Sequence, residues 1–307
     1  MIEEQAVPIA MTPDPLTGYR GFLAELLSKG GPSDSDLDAL RACFDTLNRR
    51  REMGETSKAD LRQALIGLGG AFADQRSLVG FVLKARRHGS YVLMERIYAN
   101  DCAVDATITK WDRWFQRLLA AQAVRNRKEF LREELRELAD RVSTGTRVAV
   151  LACGSCREVY EYLQSGSNTL HFDCLDVDKA AIDFSRKLCK RYSHSVDWIQ
   201  EDVRRFQPRH KYALIYAAGL ADYLPDRHMI SLLARLRAFL APRGQLFIGN
   251  FSSRNPERGP MALAGWTLYE RTAEELLDLA RKAGFGVRHA SVFAEETGIN
   301  LFLTARI

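Results

Sequence analysis

The chain has 307 residues, of which 46% are hydrophobic and 27% charged, and its formal net charge is +5. This composition is typical of a soluble globular protein with one large domain or two modest ones, and so mild a charge does not indicate a nucleic-acid partner. No apolar run reaches the ~20 residues that a membrane span needs, and the acidic, proline-containing start is unlike a signal peptide. We therefore expect a cytoplasmic protein with no membrane partner, whose six cysteines are reduced thiols.

The first 141 residues carry only helical signals. Residues 1–33 hold three prolines and a Gly-Gly-Pro break, which predict a flexible N-terminus with one short helix at 19–29. From residue 34 to 141, apolar residues recur every three or four positions, as in DLDALRACFDTLNRRREM, with no strand-like alternation. We interpret residues 34–141 as a helical domain that forms a lid over the substrate.

The pattern changes at Thr146, where short β-branched or aromatic runs begin to alternate with helical stretches. Such alternation predicts a mostly parallel sheet covered on both faces, here in a domain of residues 142–307. The predicted strands are 147–152, 171–176, 195–200, 212–218, 244–251, 286–295 and 300–307. The predicted helices between them are 157–165, 178–192, 226–240 and 272–284.

The last two predicted strands break the alternation, because only residues 296–299 separate them. Four residues cannot form a helical crossover, so these strands should pair antiparallel as a hairpin at the edge of the sheet. The predicted fold class is therefore α/β, with a Rossmann-like seven-stranded sheet whose last strand is antiparallel and an N-terminal all-helical domain.

The stretch VAVLACGSCREVYE at 148–161 raises the first functional question, because an apolar strand stops at a lone glycine and a helix follows. Gly154 can bring its backbone close to a ligand, and Ser155 is the expected cap of the following helix. Asp176 ends the second strand 22 residues later, where an acidic residue binds a ribose in dinucleotide-binding sheets. The spacing favours a bound nucleoside.

Two further positions agree with this interpretation. Asp202 follows the third strand, where it can reach an adenine amino group, and Gly219 follows the fourth, where a donor and an acceptor would meet. Alternatives remain open at this point. Cys153 and Cys156 have the spacing of a redox pair. Asp176 could serve as a helix cap rather than bind a ribose, and Asp202 could be an ordinary loop carboxylate.

This half of the chain resembles the class I S-adenosylmethionine-dependent methyltransferase superfamily. Its four motifs are matched by VAVLACGSCREV, LDVDKAAIDFSRKL, QEDVRRF and YALIYAAGLADYLPD. The resemblance implies S-adenosylmethionine as cofactor and a set of cofactor-binding residues: Ala152, Cys153, Gly154, Ser155, Asp176, Val177, Asp202, Val203, Ala218 and Gly219.

Residues 80–307 also resemble a narrower group with an N-terminal helical domain, through AGLADYL at 218–224 and the Gly-Asn-Phe and Asn-Pro segment at 249–258. That group is associated with methyl esters of hydroxy fatty acids, and it is similar to azetidine-2-carboxylate synthases. The chain departs from the superfamily at Val150, where an acid is common, and at Ala152 and Cys156, where glycines are common. In the helical region and after the fifth strand it also departs from the narrower group.

The predicted reaction centre contains Tyr91, Asp222 and Tyr223, as two aromatic walls and a base. His228 is a second possible base, and Arg125 or Arg86 is the predicted partner of the cofactor's carboxylate. The histidines show no metal-ligand spacing, so we predict no metal site.

Three functional hypotheses follow. The first is methyl transfer from S-adenosylmethionine to a small-molecule acceptor of secondary metabolism or signalling. The second is cyclisation of S-adenosylmethionine itself to azetidine-2-carboxylate and methylthioadenosine, with no further partner. The third is a nucleoside-binding module without catalysis. A homodimer is left open.

Overall fold

The computed structural model describes residues 14–85, 89–167 and 169–307. Its helices are α1 (Arg20–Ser28), α2 (Leu37–Glu52), α3 (Lys58–Gly67), α4 (Gly70–Ala73), α5 (Leu78–Lys84), α6 (Tyr91–Tyr98), α7 (Thr109–Arg117), α8 (Leu119–Ala139), α9 (Arg157–Gln164), α10 (Lys179–Leu188), α11 (Asp226–Phe239), α12 (Arg258–Leu263) and α13 (Ala273–Lys282). The short helix expected at 19–29 is confirmed as α1.

The strands are β1 (Thr146–Leu151), β2 (Leu170–Asp176), β3 (Val196–Gln200), β4 (Tyr212–Ala217), β5 (Leu240–Phe251), β6 (Ala290–Ala294) and β7 (Asn300–Arg306). Within the described residues they form one sheet in the order β3-β2-β1-β4-β5-β7-β6. The first five strands are parallel, and β7 is inserted antiparallel between β5 and β6. The predicted Rossmann-like fold class is confirmed, with the antiparallel hairpin at the edge.

The sheet is buried on both faces, as the near-continuous apolar strands require. On one face, α11 and α13 pack over an apolar cluster that includes Leu233, Leu246 and Leu276. On the other face, α8, α9 and α10 pack over a cluster that includes Leu131, Val159 and Ile182. The helices begin at strong local signals: Asp178 accepts from the Ala180 N–H at the start of α10, and Thr272 forms a capping box with Glu275 before α13.

Two strands begin at places that the residue pattern did not indicate. Strand β5 begins at Leu240 rather than 244, because Leu240 pairs with Tyr212 and an irregular register separates this pair from Leu214 and Gln245. Strand β6 begins at Ala290 rather than 286, because Val287–His289 form a short 3-10 turn. Pairing with a distant strand decides the first boundary, and a local turn decides the second.

The described residues divide into two compact units. One contains residues up to 84 together with 103–111 and 259–265, and the other contains 85–102, 112–258 and 266–307. These limits differ from the predicted domains, because α6, α8 and most of α7 belong to the compact unit of the sheet. The first unit has its own core, in which Phe72 packs against Trp111 at 4.8 Å between ring centroids.

No helix among the described residues is long and apolar enough to cross a membrane.

Candidate cofactor and reaction site

The turn after β1 has an unusual backbone. Ala152, Gly154 and Cys156 all have positive φ, at 49°, 55° and 52°. Left-handed backbone costs roughly 1–2 kcal/mol per non-glycine residue, so Ala152 and Cys156 are held in a glycine-like conformation by the surrounding fold. The turn therefore keeps the shape of a glycine-rich loop although two of its three special positions are not glycine.

The expectation that Ser155 caps the next helix is wrong. Helix α9 begins at Arg157, and the residue in the capping position is Cys156, which forms no side-chain cap hydrogen bond. Ser155 is buried instead. The left-handed backbone at Cys156 turns the chain into the helix, so the conformation rather than a side chain ends the loop.

Gly154 and Asp176, the two residues on which the nucleoside hypothesis depends, are in direct contact. The Gly154 N–H donates to Asp176 Oδ2 at 2.9 Å, and the Asp178 N–H donates to Asp176 Oδ1 at 2.9 Å. Asp178, not Asp176, caps α10. A carboxylate offers about four lone-pair sites, so Asp176 keeps acceptor capacity for the hydroxyls of a ribose.

The tip of β3 lies beside this pair, since the Glu201 N–H donates to the Asp176 carbonyl at 3.1 Å. Asp202 accepts from the Arg204 backbone and guanidinium, and these bonds lower the pKa of Asp202 to about 2. Val177 is exposed and Val203 is half-buried against the core. The tips of β1, β2 and β3 thus form one continuous surface around Asp176.

The structure gives no support to the redox alternative at Cys153 and Cys156. Both residues are buried and free, and their thiols lie side by side with the Cys174 thiol behind them. Burial raises the pKa of Cys153 and of Cys156 well above the ordinary value. Reactive cysteines are partly exposed and have a lowered pKa, so these thiols are packing groups under the turn.

Asp222 lies in the segment after β4 and is fully enclosed. Its Oδ1 accepts from the Phe251 N–H at 2.6 Å and from Asn250 Nδ2 at 3.1 Å, and the residue is 3% exposed. Burial raises the pKa of Asp222 to about 7, against the opposing effects of the Arg127 charge and the Phe251 N–H. A carboxylate with this pKa can take up or release a proton at neutral pH.

The two predicted aromatic residues lie on different parts of the site. The Tyr91 Cβ is the only described atom within 4 Å of a Cβ placed on Gly154, at 3.9 Å, and its ring packs against Phe184. The Tyr223 hydroxyl accepts from Trp266 Nε1 at 2.9 Å. Tyr91 therefore lies over the cofactor turn, whereas Tyr223 lies beside Asp222.

The structure does not place Arg125 or His228 in their predicted roles, which are binding of the cofactor's carboxylate for the arginine and proton transfer for the histidine. Arg125 donates to the side chain and the carbonyl of Gln116 at 2.9 and 2.8 Å, which engages both ends of its guanidinium. Arg86 lies outside the described residues. His228 is exposed on the first turn of α11. The predicted roles of Arg125 and His228 stay predictions.

Arg127 is the residue that the sequence reasoning missed. It is 5% exposed, and its Nη1 would lie 3.0 Å from a Cβ on Gly219, at the tip of β4. A signal was present, because the buried residues of α8 follow a helical stripe through Ala123, Val124 and Leu131 that includes position 127 but not 125. A charged residue inside an apolar stripe indicates a buried charge, and buried charges in proteins are paired or take part in binding or catalysis.

Arg271 holds the segment after β4 in shape. Its guanidinium donates to the Ala221 and Leu224 carbonyls, to Asn250 Oδ1 and to Asp226 Oδ1. Arg271 is 3% exposed, so these bonds are shielded from water. The segment carrying Asp222 and Tyr223 is therefore fixed by a residue some 45 positions away in the chain.

Comparison with known proteins agrees with this geometry. Residues 148–244 match the family model of a methyltransferase domain. Nodulation protein S of Sinorhizobium fredii (strain NBRC 101917 / NGR234) is 31% identical over 108 residues, which are 35% of this chain and 50% of that protein. The chain thus matches about half the length of this curated relative.

Solved structures extend the likeness to most of the chain. A possible exported protein from Bordetella parapertussis superposes with a TM-score of 0.65 at 17% identity, over 97% of this chain and 99% of that one. The S-adenosylmethionine-dependent methyltransferase SibL gives 0.51 at 15% identity, over 89% and 98%. Magnesium protoporphyrin IX methyltransferase from Synechocystis PCC 6803, with bound S-adenosylhomocysteine, gives 0.50 at 12% identity, over 69% and 92%. At these identities the likeness concerns the fold.

The strand order and the Gly154–Asp176 contact define a protein of the Rossmann-like α/β class. More specifically, the chain has the fold of class I S-adenosylmethionine-dependent methyltransferases, and its residues 148–244 match the model of a methyltransferase domain. The predicted Rossmann-like methyltransferase fold is confirmed. The resemblance to the narrower groups stays a prediction.

Proposed function

We propose that the protein transfers a methyl group from S-adenosylmethionine to a small-molecule acceptor of secondary metabolism or signalling. The observation that carries the proposal is the contact between the Gly154 N–H and the Asp176 carboxylate across the tips of β1 and β2. In open α/β sheets, ligands bind beyond the carboxyl ends of the strands, and this contact joins the two residues that a nucleoside would touch there.

The residues around the turn fit an adenosine. Asp176 has lone pairs left for the ribose hydroxyls, and Gly154 has no side chain between its backbone and the ligand. Val177, Asp202 and Val203 are the proposed neighbours of the adenine, and Ala152, Cys153 and Ser155 would shape the turn. Ala218 and Gly219 would lie near the reacting end. Asp202 is engaged by Arg204, so a role in binding adenine requires Asp202 to accept one more bond.

S-Adenosylmethionine supplies an activated carbon on a sulfonium, so the protein must align the nucleophile with that carbon and exclude water. Tyr91 over the turn and Tyr223 beside Asp222 are the proposed aromatic walls. Asp222, with a pKa of about 7, is the proposed base for an amine or hydroxyl nucleophile. An ionised carboxylate nucleophile would need no base.

The same base supports the second candidate, cyclisation of S-adenosylmethionine. Ring closure joins the amine nitrogen of the aminobutyrate part to the carbon that bears the sulfur, breaks that carbon–sulfur bond and releases methylthioadenosine. The protonated amine must first lose a proton, for which Asp222 is the acceptor. Arg127 lies 3.8 Å from Asp222 Oδ2, so the carboxylate is not locked in a tight ion pair.

One mass-spectrometric experiment separates the candidates. The protein is incubated with S-adenosylmethionine alone, and then with pools of small amines, hydroxyl compounds and carboxylic acids. Methylthioadenosine formed without an acceptor supports cyclisation. S-Adenosylhomocysteine formed only with an acceptor supports methyl transfer. Cofactor binding without turnover in any pool indicates a nucleoside-binding module.

The substitution Asp176→Ala tests the carrying observation. Loss of charge-assisted hydrogen bonds should weaken S-adenosylhomocysteine binding by about 1.5–3 kcal/mol, measured by calorimetry. Asp178→Ala is the matched control, because it removes a neighbouring carboxylate that caps α10. Unchanged affinity of the Asp176 variant would show that the ribose lies elsewhere.

Cytoplasmic location, the absence of nucleic-acid and membrane partners, and a homodimer stay proposals. The six cysteines are free thiols, which supports a reducing compartment. Fractionation of the native cells tests the location, and light scattering of the purified protein tests the dimer.

A further inference from the structure

Two arginines are buried near Asp222, and they differ sharply in how they are matched. Arg271 is 3% exposed and Arg127 is 5% exposed. Arg271 donates to two carbonyls of the segment after β4, to Asn250 Oδ1 in β5 and to the Asp226 carboxylate. The hydrogen-bond acceptors of Arg271 are therefore all supplied by the protein itself. Among the residues that the structure describes, Arg127 has no comparable set of acceptors.

The contacts of Arg127 are weak ones. Its Nη2 donates to the thioether sulfur of Met94 at 3.7 Å, its Nη1 lies 3.8 Å from Asp222 Oδ2, and the Tyr98 hydroxyl lies against the guanidinium. Its Nε has no hydrogen-bond partner among the described residues. A sulfur is a poor acceptor, and 3.8 Å is beyond hydrogen-bond distance.

Asp222 cannot supply what Arg127 lacks. Its Oδ1 is held by the Phe251 N–H and by Asn250, which fix the carboxylate on the far side. A buried guanidinium that is only partly hydrogen-bonded is costly, so a fold that keeps one is suited to a ligand that completes its bonds. The planar fork of arginine fits a carboxylate with two parallel bonds.

The position of Arg127 indicates where that carboxylate belongs. Arg127 projects from helix α8, and its Nη1 packs on Gly219 just after the end of β4. We propose that Arg127 binds a carboxylate at the reacting end of the site, an inference that rests on the proposed function. Two molecules could provide it: the aminobutyrate part of the cofactor, or the acceptor.

Calorimetry with wild-type protein, Arg127→Gln and Arg127→Lys tests this assignment. The probes are S-adenosylhomocysteine, which carries the carboxylate, methylthioadenosine, which lacks it, and octanoate added to the complex with S-adenosylhomocysteine. Arg136→Gln is the control, because Arg136 lies on the same helix but is only half-buried and pairs only with Glu133 among the described residues. Thermal melting checks that each variant is folded.

If the cofactor provides the carboxylate, Arg127→Gln should weaken S-adenosylhomocysteine at least about tenfold and leave methylthioadenosine unchanged. If the acceptor provides it, both nucleosides should bind as before and octanoate binding should be lost. Arg127→Lys should recover part of the affinity in either case. Should Arg127→Gln not fold, wild-type protein is tested with the carboxamides of S-adenosylhomocysteine and octanoate, and the matching probe should lose its affinity.

The proposal is overturned if S-adenosylhomocysteine binds equally well with and without the Arg127 guanidinium, or with its carboxamide in place of the carboxylate, and no Arg127-dependent binding of octanoate is found. It is also overturned if Arg127→Gln weakens both nucleosides by the same factor, because that result describes a purely structural arginine. Failure of the wild-type protein to bind either nucleoside would instead contradict the proposed function itself.

Discussion

Both ends of the parallel sheet carry arginine and aspartate side chains. At the amino ends these side chains are closely paired, and at the carboxyl ends they are not. At the amino ends, Arg147 contacts Asp173 at 2.5 Å and Asp197 at 2.8 Å. The Tyr212 hydroxyl donates to Asp173 at 2.6 Å, and His171 Nε2 lies 2.9 Å from Asp197. The His171, Asp173 and Asp197 ligand atoms lie within 4.8 Å of one another, but both carboxylates are already paired with Arg147.

At the carboxyl ends, Asp222 and Arg127 are equally buried and remain 3.8 Å apart. Each is held in place by neighbours that do not cancel its charge. The amino-end group is a closed network whose consequence is stability, whereas the carboxyl-end pair keeps unused hydrogen-bonding capacity. Incompletely matched buried charge thus lies at the end of the sheet where we propose the reaction site, and fully paired charge lies at the other end.

The largest effect is expected when a substitution breaks the ion-pair network of Arg147, Asp173 and Asp197 at the amino ends of the strands. Arg147→Met should lower the free energy of unfolding by about 3 kcal/mol, because the buried Asp173 loses its positive partner, and should leave S-adenosylhomocysteine affinity unchanged. Urea denaturation and calorimetry measure the two quantities. Arg186→Met, an exposed residue paired with Asp183, should change stability by less than ~0.5 kcal/mol. A loss of cofactor affinity in Arg147→Met would contradict the separation of the two ends.

The second prediction concerns pH at the open end. The pKa of Asp222 is raised from 3.8 to about 7. Between these two pH values, the folded protein keeps the proton on Asp222 and the unfolded chain has lost it. Stability from Asp222 is therefore full below pH ~4 and is lost as pH rises towards ~7.

Asp222→Asn removes this titration. The variant should gain stability over the wild type by up to about 1.4 kcal/mol per pH unit between pH 5 and 7, and the gap should become constant above pH ~8. Denaturation curves of both proteins at each pH measure the difference, in which other groups cancel. A gap that stays flat across this range would mean that Asp222 is ionised in the folded protein.

The third prediction compares two glycines with the same kind of backbone. Gly154 and Gly166 have φ values of 55° and 91°, and a Cβ on either has no described neighbour closer than 3.9 Å. Alanine at either position should cost about 1 kcal/mol of stability. Only Gly154→Ala should weaken S-adenosylhomocysteine binding, by about tenfold or 1.4 kcal/mol. Equal affinity in the two variants would place the nucleoside away from the turn.

The smallest expected effect is a gain. Ala152 is exposed and has a φ of 49°, so Ala152→Gly relieves left-handed strain without opening a cavity. After subtraction of the entropy that glycine adds to the unfolded chain, we expect stabilisation by about 0.5 kcal/mol. Thermal melting measures it, and a marked loss of stability would show that the Ala152 methyl group packs against the turn.

The parallel part of the fold could be predicted because its strands are short, β-branched and separated by amphipathic helices. Strand β2 was expected at 171–176 and is found at Leu170–Asp176. The contact between Gly154 and Asp176 followed from the same topology, since carboxyl ends of parallel strands meet at one edge. Local pattern and global fold agree in this region.

The remaining features depend on packing between distant segments. Arg127 reaches Gly219 only because α8 packs across the sheet, and Arg125, two residues earlier, turns to Gln116 instead. Helical spacing puts position 127 but not 125 on the buried stripe of α8, but it does not show which side chains the buried guanidinium meets. The boundary of the two compact units has the same origin, because it is decided by which neighbours α6 and α8 contact.

The bonds of Arg271 have a consequence for how new specificity could arise in this scaffold. Because Arg271 anchors the Ala221 and Leu224 carbonyls and Asp222 accepts from Phe251, buried groups set the course of this loop. Laboratory evolution should therefore recover altered substrate ranges from randomised codons at exposed positions such as Tyr223, whereas libraries that vary Arg271 should consist mainly of unfolded clones.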